Sequence, residues 1–394
     1  MNVQKNIKLL SWLNFCTDFV FFAPVAILYF AHVTGSYALG MSIFSLAYVS
    51  SAIFEMPTGI ISDMVGRKKT TIFGAVGSVG CVTLYAIGGS YWMLALGALL
   101  QGLARAFYSG NNDALLHDTL RETGKESEYH TYLGKTSSMF QIALALAAAM
   151  GGFMASRSYA LVMWASVIPQ IGALVIATQL VEPSIETRSN TNIFVHIREA
   201  LGQFKQNYRL RLLTLASAMR FGLGESGYFL RTAFISTLWP VWAIGVLSAF
   251  SNLVAALGFF YGGRLIDKFQ PLRVLNFEII SNRIVNLAAL LFPTVVSPVL
   301  MNSTSLVFGA GTVAMNSLLQ KEFTQAQRAT MSSLNAFVGS MVFGITSVIL
   351  GVLADRFDAR AALIIINLIL FVPLVFYRKL FMDAQIRPTV ERKP

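Results

Sequence analysis

Long apolar stretches dominate this chain, and short polar segments separate them. Each stretch comes close to the ~20 residues that an α-helix needs to cross the hydrocarbon core of a bilayer. Because lipid offers no partners for backbone N–H and C=O groups, such stretches are expected to fold as helices. The pattern predicts an all-α membrane protein with twelve transmembrane helices, here named spans 1 to 12. Their predicted bounds are 9–31, 38–61, 71–88, 92–116, 137–156, 159–180, 212–230, 241–262, 274–293, 296–319, 330–352 and 361–377.

The longest polar segment, 181–211, divides the chain near its middle. It separates a predicted N-terminal six-helix bundle, 1–180, from a predicted C-terminal six-helix bundle, 212–380. A basic cytoplasmic tail, 381–394, is predicted to follow.

Two polar segments invite a structural prediction. In the central segment, Ile193, Ile197 and Phe204 recur at helical spacing between charged residues, which predicts an amphipathic helix on the membrane surface. That helix either braces the two halves or is a passive connector. The segment 117–136 is polar and of mixed charge, and it is predicted to be a loop.

The composition agrees with a membrane protein. Charged residues make up 12% of the chain, hydrophobic residues 55%, and the mean hydropathy is +0.62. A soluble domain of this size cannot bury so much apolar surface. The net charge of +11 has a topological cause, because most of the 30 Lys and Arg residues fall in segments that are cytoplasmic if the N-terminus is inside. We therefore expect a multi-pass protein of the inner (plasma) membrane with both termini cytoplasmic, and no nucleic-acid partner.

Nothing in the sequence points to an enzyme. It contains no phosphate-binding Gly-Lys-Ser/Thr loop and no nucleophile–base arrangement. Its two cysteines and four histidines form no cluster with the spacing of metal ligands. No cofactor and no metal are expected.

A short charged motif occurs once in each half. Gly59 is followed by Asp63 and a basic run, and Gly263 is followed by Asp267 and Lys268. Spans 5 and 11 share a second feature, since each is predicted to open with a polar run, at 135–138 and 328–333. Ser and Thr at such positions satisfy the free N–H groups of a helix start. The pattern indicates an internal duplication, as in secondary transporters.

These residues resemble a known family. The segment 55–59, Glu-Met-Pro-Thr-Gly, with Asp63, Gly66, Arg67 and Lys68, is similar to the signature that follows the second helix of the major facilitator superfamily. Two further segments, 109–120 and 322–330, resemble those of its drug/proton antiporter-like branch. The resemblance implies two pseudo-symmetric six-helix bundles around a cavity lined by spans 1, 4, 7 and 10, with gates formed by spans 2, 5, 8 and 11.

The repeated motif is interpreted as a cytoplasmic gate. Asp63 can accept hydrogen bonds from the free N–H groups at the start of span 11, and Asp267 can do so at the start of span 5. Glycine at positions 59 and 263 would allow close helix approach. The alternative is that the basic loops only fix the topology. The predicted gate residues are Glu55, Gly59, Asp63, Gly66, Arg67, Lys68, Asp113, Asp118, Gly263 and Asp267, with Arg67 and Lys68 pairing to Asp113 or Asp118.

Charged residues inside the spans are candidates for the transport site. Each costs on the order of 2.5–3.5 kcal/mol at the bilayer centre, so it is expected to face a cavity or a partner. Asp18 and Glu225 are the proton-coupling candidates; Asp18 is alternatively a fixed structural pair with Arg105 or Arg220. Glu278 is predicted to form a structural pair with Arg283. The substrate-cavity candidates are Asn14, Asp18, Arg105, Arg220, Glu225 and Asn316.

The predicted function is secondary active transport of a small organic solute by alternating access. Proton-coupled efflux of the multidrug antiport type is expected, with sodium as another possible coupling ion and a monomer as the working unit. One alternative is a proton-coupled importer of a metabolite. Another is a lipid scramblase or receptor on the same fold, without solute flux.

Overall fold

The structure is a computed structural model that describes residues 4–184, 202–323 and 328–386. Within those ranges the side chains of residues 60, 63, 329 and 383–386 are not described. The regular secondary structure of the described chain is entirely helical. The predicted amphipathic helix of the central segment lies mostly outside the described residues, of which only 202–206 at its end are helical.

The described helices follow the order of the predicted spans. In the first half they are Lys5–Asp18 and Ala26–Thr34 (span 1), Tyr37–Val65 (span 2), Arg67–Ile87 (span 3), Tyr91–Tyr108 and Asn111–Glu122 (span 4), Tyr129–Arg157 (span 5) and Tyr159–Gln179 (span 6). In the second half they are Tyr208–Ile235 (span 7), Val241–Phe269 (span 8), Pro271–Leu291 (span 9), Ser297–Ser303 and Ser305–Glu322 (span 10), Arg328–Arg356 (span 11), and Ala359–Ile369 and Pro373–Ile386 (span 12).

Side-chain caps fix the starts of four spans. Ser36, Ser90 and Ser158 accept hydrogen bonds from the backbone N–H three residues further on, at the starts of spans 2, 4 and 6. Asp358 does the same at the start of span 12. Because the first N–H groups of a helix have no partner within it, a short polar side chain before a long apolar run sets where the helix begins.

Four spans that were predicted as continuous helices are interrupted. Spans 1, 4, 10 and 12 each consist of two helices. In span 4 the interruption is at Gly110, whose φ of +68° is a conformation that side chains other than glycine rarely adopt. The mean hydropathy of a whole span does not reveal such breaks, because it averages over the few residues at which the helix is interrupted.

The predicted loop at 117–136 is wrong. The second helix of span 4 continues to Glu122 and span 5 begins at Tyr129, which leaves only a short connection. Thr136 and Ser138 therefore lie inside span 5, where their hydroxyls donate to the carbonyls of Leu133 and Lys135. They do not cap a helix start. Polar composition marks where the chain leaves the lipid, which need not be where the helix ends.

Nine of the described spans are long and apolar enough to cross a membrane by length and composition. The spans outside that set are 4, 7 and 10, whose longest helices are Tyr91–Tyr108, Tyr208–Ile235 and Ser305–Glu322. A helix that carries so many polar residues is expected to turn them toward protein or a water-filled space.

The described residues form two compact units. One contains those within Met1–Asn190 and Thr232–Asn252, and the other those within Thr191–Arg231 and Leu253–Pro394. The core of the first unit includes Leu10, Leu13, Leu115, Leu116 and Ala173. The core of the second includes Leu213, Leu275, Ala314, Met331 and Tyr377. The boundary predicted at 181–211 stays a prediction, since that segment is largely outside the described residues.

Candidate functional site

Span 1 is interrupted next to its acidic residue. The first helix ends at Asp18, and a short 3-10 helix, Ala23–Val25, precedes the second helix. Pro24, which has no N–H to donate, stands in this 3-10 turn. In a continued helix the N–H of Val20 would donate to the carbonyl of Cys16, but here it donates to the carbonyl of Asp18. The carbonyls of Cys16 and Thr17 therefore lack their helical donors.

Span 6 supplies the missing hydrogen bonds. The side-chain amide of Gln170 donates to the carbonyl oxygens of Cys16 at 3.1 Å and Thr17 at 3.2 Å. The hydroxyl oxygen of Ser166 accepts from the N–H of Phe21 at 3.1 Å. Both side chains are fully buried. Irregular backbone at membrane depth persists only where protein satisfies it, so these two residues make the interruption a built feature.

Span 5 makes room for the same segment. A β-carbon on Gly151 would overlap the carbonyl oxygen of Phe21. Only a residue without a side chain lets the interrupted backbone approach span 5 so closely. Spans 5 and 6 thus hold the chain that follows Asp18 in place.

Asp18 lies within electrostatic range of a basic residue of span 4. Its carboxylate is 3.5 Å from the hydroxyl of Thr17, and its charge interacts with that of Arg105. Arg105 is exposed, and its guanidinium lies 5.0 Å from the ring centroid of Tyr48. A carboxyl group and an accessible guanidinium therefore occur together where spans 1, 2 and 4 meet. Asn14, one turn before Asp18, donates to the carbonyl of Thr136 at 3.3 Å and so links spans 1 and 5.

Arg220 has a structural environment in the second unit. Its Nε lies 3.1 Å from Oε2 of Glu278, and it also donates to the carbonyl of Phe308 and the hydroxyl of Thr312. The predicted pairing of Glu278 with Arg283 is thus incomplete, because the direct partner is Arg220. Arg283 interacts with the same carboxylate through its charge. The counter-charge of Arg220 is therefore Glu278 of span 9. The sequence had suggested Asp18 of span 1 as its partner.

A second charged group lies at the far end of span 7. Glu225 interacts through its charge with Tyr228 and Arg231. Arg231 donates to the carbonyl of Met301 at 2.8 Å and lies 4.8 Å from the ring centroid of Tyr228. The predicted bounds of span 7 ended at residue 230, but Arg231 lies in the helix and is 9% exposed. The carbonyl of span 10 compensates its burial.

The end of span 2, the start of span 3 and the second helix of span 4 share a polar network. Nε of Arg67 is 3.8 Å from Oδ2 of Asp118, and Nη1 donates to Ser62 at 2.8 Å. Ser62 in turn donates to Asn111, whose amide donates to Thr71 and to the carbonyl of Arg67. The structure thus brings Arg67 to Asp118, while Asp113 is exposed.

Glu182, which follows span 6, closes the same network. Its carboxylate oxygens accept from the backbone N–H groups of Arg67 at 2.6 Å and Lys68 at 2.8 Å. A carboxylate at this position satisfies free N–H groups and complements the positive end of the span 3 dipole. Gly66 adopts a φ of +97°, and a side chain there would press on the Glu182 carboxylate. No sequence pattern pointed to Glu182.

Comparison with known proteins identifies the family. The sequence pattern described as Major Facilitator Superfamily matches residues 9–346. The chain belongs to the Major Facilitator Superfamily. It is accordingly an all-α, multi-pass membrane protein with the twelve-helix major facilitator fold. A search of curated proteins gave no match.

Solved structures of superfamily members share this fold. The crystal structure of the nucleoside transporter NupG has a TM-score of 0.75 at 16% identity, covering 97% of this chain and 99% of that one. A bacterial homologue of the human lysosomal transporter Spinster, inward-facing and unoccupied, has a TM-score of 0.77 at 16% identity, covering 97% of each chain. A variant of the E. coli fucose:proton symporter FucP has a TM-score of 0.60 at 17% identity, covering 96% and 99%.

The described structure shows side-chain contacts for only some residues of the superfamily motif. The carboxylate of Glu55 is 3.4 Å from the hydroxyl of Ser109. A β-carbon on Gly59 or Gly263 meets no atom within 4 Å. The close helix approach predicted at these glycines stays a prediction. The side chain of Asp63 is not described, and Asp267 is exposed near the end of span 8. The roles predicted for these two aspartates stay predictions.

Uncharged polar residues of this superfamily member form contacts that were not predicted from the sequence. Asn316, its candidate on span 10, is exposed. The amide of Asn335 donates to Ser217, and that of Gln320 donates to Ser332, each at 3.3 Å. These residues lie on spans 7, 10 and 11. Their i, i+3 and i, i+4 spacings along each helix were the available signal.

Proposed function

We propose that this chain is a proton-coupled secondary transporter of a small organic solute that works by alternating access. The observation that carries the proposal is the position of Asp18, at a built interruption of span 1 beside an accessible arginine. Interrupted helices in membrane proteins commonly surround ion and substrate sites. An ionisable group at membrane depth is costly unless it has a function or a fixed partner.

The pair of Asp18 and Arg105 suggests how proton and solute are coupled. When Asp18 is ionised, it balances the charge of Arg105; when it binds a proton, Arg105 is released to other partners. A solute that competes with the proton for Asp18 is exchanged for it, which gives antiport. A solute that binds only after Asp18 is protonated travels with the proton, which gives symport.

Export by antiport is the direction we favour, on the resemblance of segments 109–120 and 322–330 to the drug/proton antiporter-like branch. Proton-coupled uptake of a metabolite is the second candidate. Its support is the exposure of Arg105, which gives an anionic part of a solute a site once Asp18 is protonated.

Proton movement in proteoliposomes tests this proposal. Purified protein is reconstituted with pyranine inside, and solutes that raise its melting temperature are added outside. We expect a solute-dependent pH change in the lumen whose sign distinguishes antiport from symport. Asp18→Asn should abolish the pH change and retain solute counterflow. Glu225→Gln removes the other candidate carboxyl group and is the matched variant, which we expect to keep the pH change. A pH change of normal size in the Asp18 variant, or none in the native protein, rejects the proposal; the latter is the scramblase or receptor outcome.

The network of Arg67, Asp118 and Glu182 is proposed to hold the cytoplasmic ends of spans 2, 3 and 4 together as one half of a gate. The supporting observation is that Arg67 contacts Asp118 through its side chain and Glu182 through its backbone N–H, and these two residues are distant in sequence. A rigid end on the first unit gives Asp63 a fixed place from which to act.

A further inference from the structure

Spans 7, 10 and 11 of the second unit present uncharged polar side chains to one another. We name Thr214, Ser217, Asn316, Gln320, Ser332 and Asn335 the neutral polar cluster. Two hydrogen bonds hold it together: Asn335 to Ser217 and Gln320 to Ser332, each at 3.3 Å. Thr214 lies one turn before Ser217, and Ser332 one turn before Asn335, so the two pairs share facing helix surfaces. Asn316 lies one turn from Gln320 and is exposed.

Three oxygens of the cluster are buried without a hydrogen bond in the described part of the chain. They are the hydroxyl of Thr214, Oε1 of Gln320 and Oδ1 of Asn335. Thr214 as a whole is only 6% exposed. Buried polar atoms nearly always have partners, because leaving one unpaired costs free energy. Three such oxygens on adjoining helices therefore indicate a place prepared for a hydrogen-bonding ligand.

Two charged groups near the cluster already have partners. The carboxylate of Glu322 accepts a hydrogen bond from the side-chain amide of Asn207. Its Oε1 lies 3.4 Å from Nε of Arg209. Arg220 is held by Glu278. What remains in the cluster is a mixture of carbonyl acceptors and hydroxyl groups that both donate and accept.

We infer that the neutral polar cluster binds an uncharged solute that carries several hydroxyl groups, such as a sugar, a hexitol or a nucleoside. A hydroxyl donates and accepts at once, so it can pair with an amide oxygen and a serine hydroxyl together. A charged solute at the same place would lose its hydration without meeting an opposite charge. This inference rests on the proposed transport function, and it names the class of solute for the second unit.

Binding to purified protein in detergent tests the class of solute. The neutral probes are D-glucose, D-mannitol and uridine; D-gluconate and D-glucosamine carry a negative and a positive charge on the glucose skeleton. We expect at least one neutral probe to raise the melting temperature with saturable binding, and the two charged probes to bind at least tenfold more weakly than D-glucose if D-glucose is the ligand. Stabilisation by none of the neutral probes overturns the inference.

Variants place the binding in the cluster. Asn335→Leu and Gln320→Leu should each raise the Kd of the bound probe about tenfold, equivalent to ~1.4 kcal/mol. The melting temperature without probe should change little, because each variant removes an unpaired buried oxygen together with one hydrogen bond at 3.3 Å. Asn367→Leu is the matched control, since Asn367 also has a buried Oδ1 without a partner but lies on span 12. Unchanged affinity in both cluster variants overturns the inference.

The outcome is separable from that of the proposed function. Binding that survives in Asp18→Asn, together with no proton movement in the native protein, supports the cluster and rejects proton coupling. Proton movement driven by a solute whose Kd is insensitive to Asn335→Leu and Gln320→Leu supports coupling and rejects the cluster as the solute site.

Discussion

Nε of Arg220 lies 3.1 Å from the carboxylate of Glu278, and both residues are buried, at 8% and 3% exposure. They join spans 7 and 9 within the second unit. Arg283 adds a second positive charge near the same carboxylate. Glu278 is therefore the centre of a charge group with two arginines, and the two members of the direct pair are not equivalent.

Removing Glu278 should be more harmful than removing Arg220. Glu278→Gln leaves two neighbouring guanidinium groups without a counter-charge, whereas Arg220→Met leaves Glu278 with Arg283. We expect Glu278→Gln to lower the free energy of unfolding by about 3–5 kcal/mol, the usual cost of breaking one side of a buried pair. Thermal unfolding in detergent measures it, with Glu128→Gln, at an exposed position, as control. Equal losses in the two single variants would show that Arg283 does not share the carboxylate.

Gln170 holds the interrupted part of span 1. Gln170→Leu leaves the carbonyls of Cys16 and Thr17 without donors. We expect a loss of about 1–3 kcal/mol for the unsatisfied groups, seen as a lower melting temperature. Gln141→Leu, at an exposed position of span 5, is the control and should have little effect. No loss in the Gln170 variant would mean that the interruption does not depend on span 6.

Gly151 tests the same feature from span 5. Gly151→Ala places a methyl group against the carbonyl oxygen of Phe21, which is backbone and cannot rotate away. Gly134→Ala is the control, since a β-carbon there meets nothing within 4 Å. We expect the first variant to fold poorly or to lose transport while the second stays near native, by size-exclusion yield and flux. Native yield and flux in Gly151→Ala would show that the backbone shifts readily.

The hydropathy pattern is sufficient for the fold, because each span must offer lipid an apolar surface of fixed minimum length. It is insufficient for the interruptions. Pro24, six residues after Asp18, was a usable signal for the break in span 1 and was not interpreted as one. The helical residues 117–122 were missed because they carry charges, and hydropathy reports lipid contact rather than helix formation.

The partners within the candidate site depend on tertiary structure. Asp18 and Arg105 were singled out because charges in apolar spans are rare, and in the structure their charges interact. Asp18 was a predicted partner of Arg220, yet the structure gives Arg220 a partner from span 9, Glu278. Glu182 and the oxygens of Gln320 and Asn335 acquire their roles only from neighbours distant in the sequence.

Glu182 should stabilise the start of span 3. In Glu182→Gln, one oxygen remains to accept, while the new amide group faces a backbone N–H that also donates. Loss of the charge also removes its interaction with the helix dipole, and we expect a cost of about 1 kcal/mol in unfolding free energy. Glu128→Gln, at an exposed position, is the control. An unchanged melting temperature for Glu182→Gln would count against the network as a support of the first unit.

The proposed gate predicts that Asp63 affects transport more than stability. A carboxylate that caps a helix N-terminus only in one conformation favours that conformation by about 0.3–2 kcal/mol, so Asp63→Asn should shift the balance between conformations by up to about thirtyfold. We expect a several-fold lower initial flux in proteoliposomes at equal protein content and an unchanged melting temperature. Asp267→Asn should act in the same direction, and Asp358→Asn, which alters the cap of span 12, is the matched control. Native flux in both gate variants would leave the basic loops with a role in membrane topology alone.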